Sequence, residues 1–411
     1  MKLLVIGNHC LSQSESNGRV LRSLLSAFSG EELTSFAIRG IPDCPGVRYV
    51  TVTDRDAVNA VTHLSFYHPL GTQTNEGSGT KATGSRRTAK THLIRNLIWS
   101  TKWWLKRSIK QALYDKGYDA IFLMGADTPF LYRLAADISK KNKVPLLVYT
   151  AEDYPIKRYD YIEQKPGMSF WCKRFLNKLR KAGKLAFEAA SVCILNSAKL
   201  KASYESAYHL KRSEVVYLPS SFEALPETDA PKTKIIYAGN INFHRLESLI
   251  KVANTIQSID SSKKLTLYGR LTDEESKTLV SNTPGIEYCG ILPYEELLKV
   301  YGQASLLVHA EGFDDFYLLD CAHAFSTKVA DCLCSEIPFF LYAPIELPSS
   351  VFVNEALPNF YAGNEEELQI KLSSILSGET KYQPDMEYIH TCFDRESVGK
   401  RIRQLIEEVS K

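Results

Sequence analysis

Residues 234–256, KIIYAGNINFHRLESLIKVANTI, decide the fold. A short apolar run stops at Gly239, a polar loop follows, and Leu246, Leu249, Ile250, Val252, Ala253 and Ile256 then recur at three- and four-residue spacing. That is the pattern of a buried parallel strand turning into the helix that covers it. The unit repeats downstream, where strands are expected at 234–238, 264–268, 286–289, 305–309 and 338–342 and helices at 246–259, 273–281, 294–304, 326–335 and 364–376.

Upstream the same alternation holds. Strands are expected at 2–6, 33–38, 47–52, 119–124, 144–149, 191–195 and 214–218, and helices at 18–28, 92–116, 128–142, 169–190 and 198–208. Each half is therefore read as a doubly wound α/β sheet. Between them PSSFEALPETDAPKTK, with three prolines and no apolar periodicity, reads as a linker. The expected organisation is a first domain over 1–222, a second over 232–392, and a terminal segment, 393–411, whose helix is free to cross back to the first domain.

A length of 411 residues with 44% hydrophobic and 24% charged side chains fits two folded domains. The balance of 50 Lys+Arg against 47 Asp+Glu argues against a dedicated nucleic-acid binder. The distribution says more: residues 1–225 hold 33 basic and 19 acidic side chains, whereas the remainder holds 17 and 28. Such asymmetry predicts that the first domain faces something anionic. No apolar run reaches the roughly 18 residues of a spanning helix, and the opening MKLLVIGNHC is too short in apolar residues for a signal peptide. Nine cysteines without a CxxC pair read as free thiols in a reducing, cytoplasmic setting.

Residues 68–91, rich in Gly, Ser and Thr, are expected to form a mobile surface loop. The following stretch joins Trp99, Trp103 and Trp104 to a basic face, with ten basic residues in 81–116 against the single acid Asp115. A second cationic helix covers 170–184. Together, 81–116 and 170–184 suggest peripheral contact with an anionic membrane surface on its cytoplasmic side. The alternative is a core helix with a solvated outer face.

The richest region for chemistry is 305–344, SLLVHAEGFDDFYLLDCAHAFSTKVADCLCSEIPFFLYAP. A helix starting near Ser326 and Thr327 presents backbone N–H groups to an anion, Lys328 adds a full charge, and Asp331 lies on the same face where a ribose diol would bind. In the opening stretch, Gly239 permits close backbone approach and Arg245 suits a pyrophosphate, with His244 beside it. Gly269 and Arg270 end the next strand. In the first half, Asn8, Ser16, Asn17 and Gly18 form a polar loop after the first strand. Glu152 and Asp153 follow the strand at 144–149 and could orient or deprotonate an acceptor hydroxyl, or simply pair with Lys157 or Arg158. Asp127 is a further acidic candidate and an N-cap. His, Asp and Cys spacings suggest no metal site, and the absence of G-x-S-x-G, Walker A and G-x-G-x-x-G motifs argues against hydrolases, NTPases and dehydrogenases.

YAGNI before a helix, LTLYGR, IEYCGILPYEELLKVYGQASLLVHAEGF and STKVADCLCSEIPFFLYAP together resemble the C-terminal signature of the GT-B glycosyltransferases of the large group 1, retaining family. The resemblance implies two Rossmann-like domains facing a central crevice, the first binding acceptor and the second a nucleotide-sugar. It implies transfer of a hexosyl group from a UDP- or GDP-sugar, with retention and no other cofactor, to a glycan or lipid-linked glycan, as in bacterial surface polysaccharide synthesis. By this likeness Gly239, Asn240, His244, Arg245, Gly269, Arg270, Ser326, Thr327 and Lys328 would hold the donor. Asp331 would stand for the family's ribose-binding Glu, and Glu311 for the acidic residue near the donor sugar. Glu152 and Asp153 would act on the acceptor, and Asn8, Asn17 and Gly18 would line its side of the crevice. The chain departs from the family in having Asn240 for an Arg, Asp331 for a Glu, and EGFD for EGFG. A sugar-nucleotide 2-epimerase of the same architecture and a non-catalytic partner subunit are the alternatives.

Overall fold

A computed structural model of the chain describes residues 1–62, 88–222, 224–242 and 244–410. The expected loop at 68–91 falls outside the described residues except for 88–91, and so do Lys81, Arg86 and Arg87. In chain order the elements are β1 (Leu3–His9), α1 (Ser16–Leu24), β2 (Leu33–Arg39), β3 (Arg48–Thr51), α2 (Asp54–Thr62), α3 (Ala89–Ser100), α4 (Arg107–Leu113), β4 (Ala120–Met124), α5 (Pro129–Asn142), β5 (Leu146–Thr150), α6 (Phe170–Ala189), β6 (Val192–Leu195), α7 (Ala198–Ala207) and β7 (Ser213–Val215). They continue with β8 (Lys234–Ala238), α8 (Leu246–Ile259), β9 (Leu265–Tyr268), α9 (Glu274–Ser281), β10 (Ile286–Gly290), α10 (Tyr294–Tyr301), β11 (Ala304–Ala310), α11 (Asp315–Cys321), α12 (Thr327–Cys334), β12 (Phe339–Tyr342), α13 (Pro348–Ala356), β13 (Tyr361–Ala362), α14 (Glu365–Leu376), α15 (Met386–Phe393) and α16 (Arg395–Ser410).

The chain divides into two units, Met1–Leu218 with Arg395–Lys411, and Pro219–Asp394. The first holds a seven-stranded sheet in the order β3-β2-β1-β4-β5-β6-β7; the second holds a six-stranded sheet in the order β10-β9-β8-β11-β12-β13. Every strand pairing within them is parallel. Strands such as β5, β6 and β12 are buried along their whole length, because helices cover both faces of a parallel sheet. Each sheet reverses its winding beside its first strand, between β1 and β4 and between β8 and β11. The carboxyl ends of those strands are where open α/β sheets bind ligands.

Three expectations change. The single helix at 92–116 is two, α3 and α4, because Lys102 takes a left-handed backbone (φ 59°) and turns the chain. Trp104 then folds back so that its Nε1 donates to the Trp99 carbonyl at 2.9 Å. Both rings are buried in the core against Phe36 and Phe130, so they are not membrane-facing tryptophans. The expected linker belongs to the second unit, where Ser220 and Ser221 are tied to Asp331.

α16 belongs to the first unit and packs on α1, burying Val398, Ile402, Leu405 and Ile406 with Leu21, Leu24 and Leu25. Each such side chain contributes on the order of 2 kcal/mol. Arg403 closes the contact, donating to Glu32 while lying over the Phe28 ring. All nine cysteines are unpaired thiols.

Candidate functional site

The best-defined polar cluster lies at the carboxyl ends of β8 and β11. Arg245, just before α8, places Nε and Nη2 2.6 Å from Glu311 Oε2, immediately beyond β11. The hydroxyl of Tyr317, on α11, also donates to Oε2, and His309 Nε2 reaches Oε1 at 3.0 Å. Only 3% of Glu311 is exposed. Burial alone would raise its carboxyl pKa; the His309, Arg245 and Tyr317 contacts overcome that and hold it at about 2. Burial, partly opposed by Glu311, pushes the His309 imidazole below its usual value. Arg245 is the cation that balances the site.

Two glycines make the cluster possible. A Cβ at Gly312 would lie 2.8 Å from the Tyr317 ring and 2.9 Å from the His244 carbonyl, so only glycine lets α11 close over Glu311. At Gly269 a Cβ would stand 2.2 Å from the Gly239 carbonyl oxygen, so the turns after β8 and β9 meet backbone to backbone there. His244, at a left-handed φ of 56°, turns the loop into α8 and pairs with Asp314 at 2.9 Å. Asn240 contributes its backbone: its carbonyl accepts from Tyr237 at 2.9 Å and lies 3.5 Å from Arg245 Nη1. Arg270 is exposed, and its carbonyl accepts from Asn242.

The second part of the site is the start of α12. Ser326 does not cap this helix with its side chain; its N–H donates to Ser349 and its hydroxyl lies 3.4 Å from His309 Nε2. The amides of Thr327 and Lys328 meet no acceptor among the described residues. The Lys328 side chain is 42% exposed and reaches Asp331 Oδ2 at 2.9 Å. Burial would lower its pKa, but Asp331 raises it overall, so the ammonium stays charged. Asp331 also accepts from Ser220 at 2.9 Å and from the Ser221 N–H at 2.8 Å. Arg245 and Lys328 thus differ: the first is committed to a buried carboxylate, and the second remains open to solvent beside bare helix amides.

In the first unit, Asn8 at the end of β1 accepts from Thr128, just before α5, at 2.7 Å. His9 Nδ1 sits 2.5 Å from Glu15, and Asn17 reaches the other ring nitrogen at 3.2 Å. Gly18 is buried in α1. Asp153 is buried and paired with Lys157 Nζ at 2.9 Å. Glu152 is half-buried, and its carbonyl accepts from Thr150 and Tyr204.

Sequence reasoning missed Tyr317 and the serines at 220 and 221. Asp314 does carry a signal, since it caps α11 by accepting from the Tyr317 N–H. Nothing local marks Ser220 and Ser221, whose partner lies 111 and 110 residues away.

The whole chain is similar in fold to several solved structures. HepE of Anabaena in complex with UDP superposes with a TM-score of 0.64 at 11% identity, covering 99% of this chain and 100% of that one. Sucrose-phosphate synthase of Thermosynechococcus elongatus gives 0.59 at 12% identity, with 99% of both chains covered. The lipopolysaccharide outer core galactosyltransferase WaaB, in its apo form, gives 0.58 at 13% identity, again with 99% of both covered. The fold is therefore GT-B, with two Rossmann-like α/β domains. No protein-family model matches the chain, and no curated protein matches its sequence.

Proposed function

We propose that this protein is a glycosyltransferase whose second unit binds a nucleoside diphosphate sugar, UDP- or GDP-linked, and whose first unit binds a glycan or lipid-linked glycan acceptor. The observation that carries this is the start of α12, where two unaccepted amides and the exposed Lys328 ammonium adjoin Asp331 in a GT-B fold. HepE, of the same fold, has been solved with UDP, and also with UDP and glucose.

In this reading the diphosphate lies on the amides of Thr327 and Lys328, with the Lys328 charge beside it. The bond to the leaving diphosphate then breaks as negative charge grows against preorganised donors. Asp331 exchanges its serine partners for a ribose diol. Arg245 takes a positioning part: it fixes the carboxylate of Glu311, and with Tyr317 and His309 keeps the floor of the sugar site rigid. Glu152, with Asp153 held by Lys157, orients the acceptor hydroxyl. The reaction is proposed to retain anomeric configuration, to serve surface polysaccharide synthesis, and to need no metal, so a chelator should leave turnover unchanged.

A panel of UDP-, GDP- and dTDP-sugars tests the reading through thermal stabilisation. A ligand at a hundred times its dissociation constant adds about 2.7 kcal/mol to stability. One base should shift the transition and the others should not. No shift with any of them would refute the proposal. Lys328→Ala should weaken the effective ligand roughly 10- to 100-fold, the range expected for losing a charge-assisted hydrogen bond.

A further inference from the structure

Of the tryptophans that suggested a membrane surface, Trp99 and Trp104 are core residues while Trp103 is exposed, and α3 and α6 present a further exposed face. On α6 the solvent side carries Lys173, Arg174, Lys178, Lys181 and Lys184. Among the described residues only Lys184 of these meets a carboxylate, Glu188 at 3.8 Å. Large apolar side chains stand exposed among those cations: Phe170 (67%), Trp171 and Leu185. Ile94 and Leu97 (67%) are exposed on α3, one turn apart on the stripe that begins at Lys90.

The two helices run side by side in step. Lys90 Nζ lies 5.2 Å from the centre of the Trp171 ring, the His92 ring lies 5.0 Å from Phe175, and Ser100 and Leu185 line one cavity further along. The exposed apolar and basic side chains therefore form one continuous ridge.

That cavity, about 590 Å³, is walled by Trp99, Trp104, Phe130 and Leu134, and Arg133 lies in it. Arg133 Nη2 donates to Asn96 Oδ1 and Ser100 Oγ, each at 2.8 Å, both neutral acceptors. It meets no carboxylate among the described residues; Asp137, which lines the same cavity together with Lys102, Lys140 and Lys211, is engaged by Lys102, Lys141 and Tyr114. A half-buried guanidinium among aromatic rings without a counter-ion is a receptor for an anion supplied from outside.

We propose that the α3–α6 face docks on an anionic phospholipid bilayer, with the cavity taking one lipid phosphate on Arg133. Unpaired cations spread over a ridge suit a diffuse field of headgroups, while the exposed aliphatic and aromatic side chains suit the boundary of the acyl region. Membrane docking is separate from sugar transfer and is read by a separate assay, so failure of one leaves the other standing.

The full chain should co-sediment with vesicles of phosphatidylcholine containing phosphatidylglycerol, on the order of tenfold more than with phosphatidylcholine alone, and less so as salt is raised. Lys178→Glu with Lys181→Glu, which alters only exposed side chains, should abolish that preference without moving the thermal transition. Arg133→Gln should lower it by roughly fivefold, the share of one cation near the surface. Leu97→Ser with Trp171→Ser should weaken retention even at low salt. Equal retention by both vesicle types, or wild-type retention by the charge-reversed variant, would overturn the proposal. So would light scattering that shows a dimer which the same substitutions dissolve, since the face would then belong to a second copy.

Discussion

Both sheets change winding beside their first strand, yet the side chains at the two switch points differ in kind. Between β1 and β4 the chain places a neutral pair, Asn8 and Thr128, at 2.7 Å. Between β8 and β11 it places an ion pair, Arg245 and Glu311, at 2.6 Å and nearly out of solvent. The backbone solution is shared, and the chemistry rests with a few residues after each strand. A neutral pair tolerates the loss of a partner, whereas a buried ion pair leaves a desolvated charge behind.

The largest expected effect breaks the ionic side. Arg245→Ala strands Glu311 and should cost about 3–5 kcal/mol in urea unfolding. Acid reaches the same contact more gradually. A carboxyl held at about 2 instead of 4.5 contributes roughly 3 kcal/mol, in place above its unfolded pKa and lost as pH falls from near 4.5 toward 2. His309, with its pKa depressed from 6.5, acts in the same direction: as pH drops below 6.5 the unfolded chain takes up a proton that the buried ring resists, and stability falls. Urea midpoints measured from neutral pH into acid should decline accordingly, and Glu311→Gln should flatten the lower part of the curve.

On the neutral side the effect shrinks. Thr128→Val leaves the Asn8 carbonyl without its donor and should cost about 1–2 kcal/mol in the same assay. A loss as large as that of Arg245→Ala would erase the distinction between the two switch points. Smallest of all should be Lys328→Ala, at most about 1 kcal/mol, because its pair with Asp331 is half open to water.

The strands were legible because parallel strands buried on both faces read as unbroken apolar runs, and β8 and α8 begin and end where the sequence places them. Short helices were less so. α11, α13 and α15, of seven to nine residues, were not read from the sequence, whereas α9, α10 and α12, of eight residues each, were. Trp104 was illegible for a different reason: Trp and Lys alternate as in an interfacial helix, and the backbone reversal at Lys102 sends Trp104 inward while Trp103 stays exposed. Asp153 and Lys157 were legible as partners four residues apart. The pairing of Arg245 with Glu311 spans 66 residues, and nothing in either local sequence announces it.

The central claim is that the start of α12 holds a nucleoside diphosphate. Calorimetric titration of the full chain with UDP and with GDP, repeated on Lys328→Ala and Arg133→Gln, tests it most directly. One of the two nucleotides should bind the wild type and the Arg133 variant equally, and bind Lys328→Ala at least about tenfold more weakly. Binding that ignores Lys328, or no binding of either nucleotide to the wild type, would contradict the account.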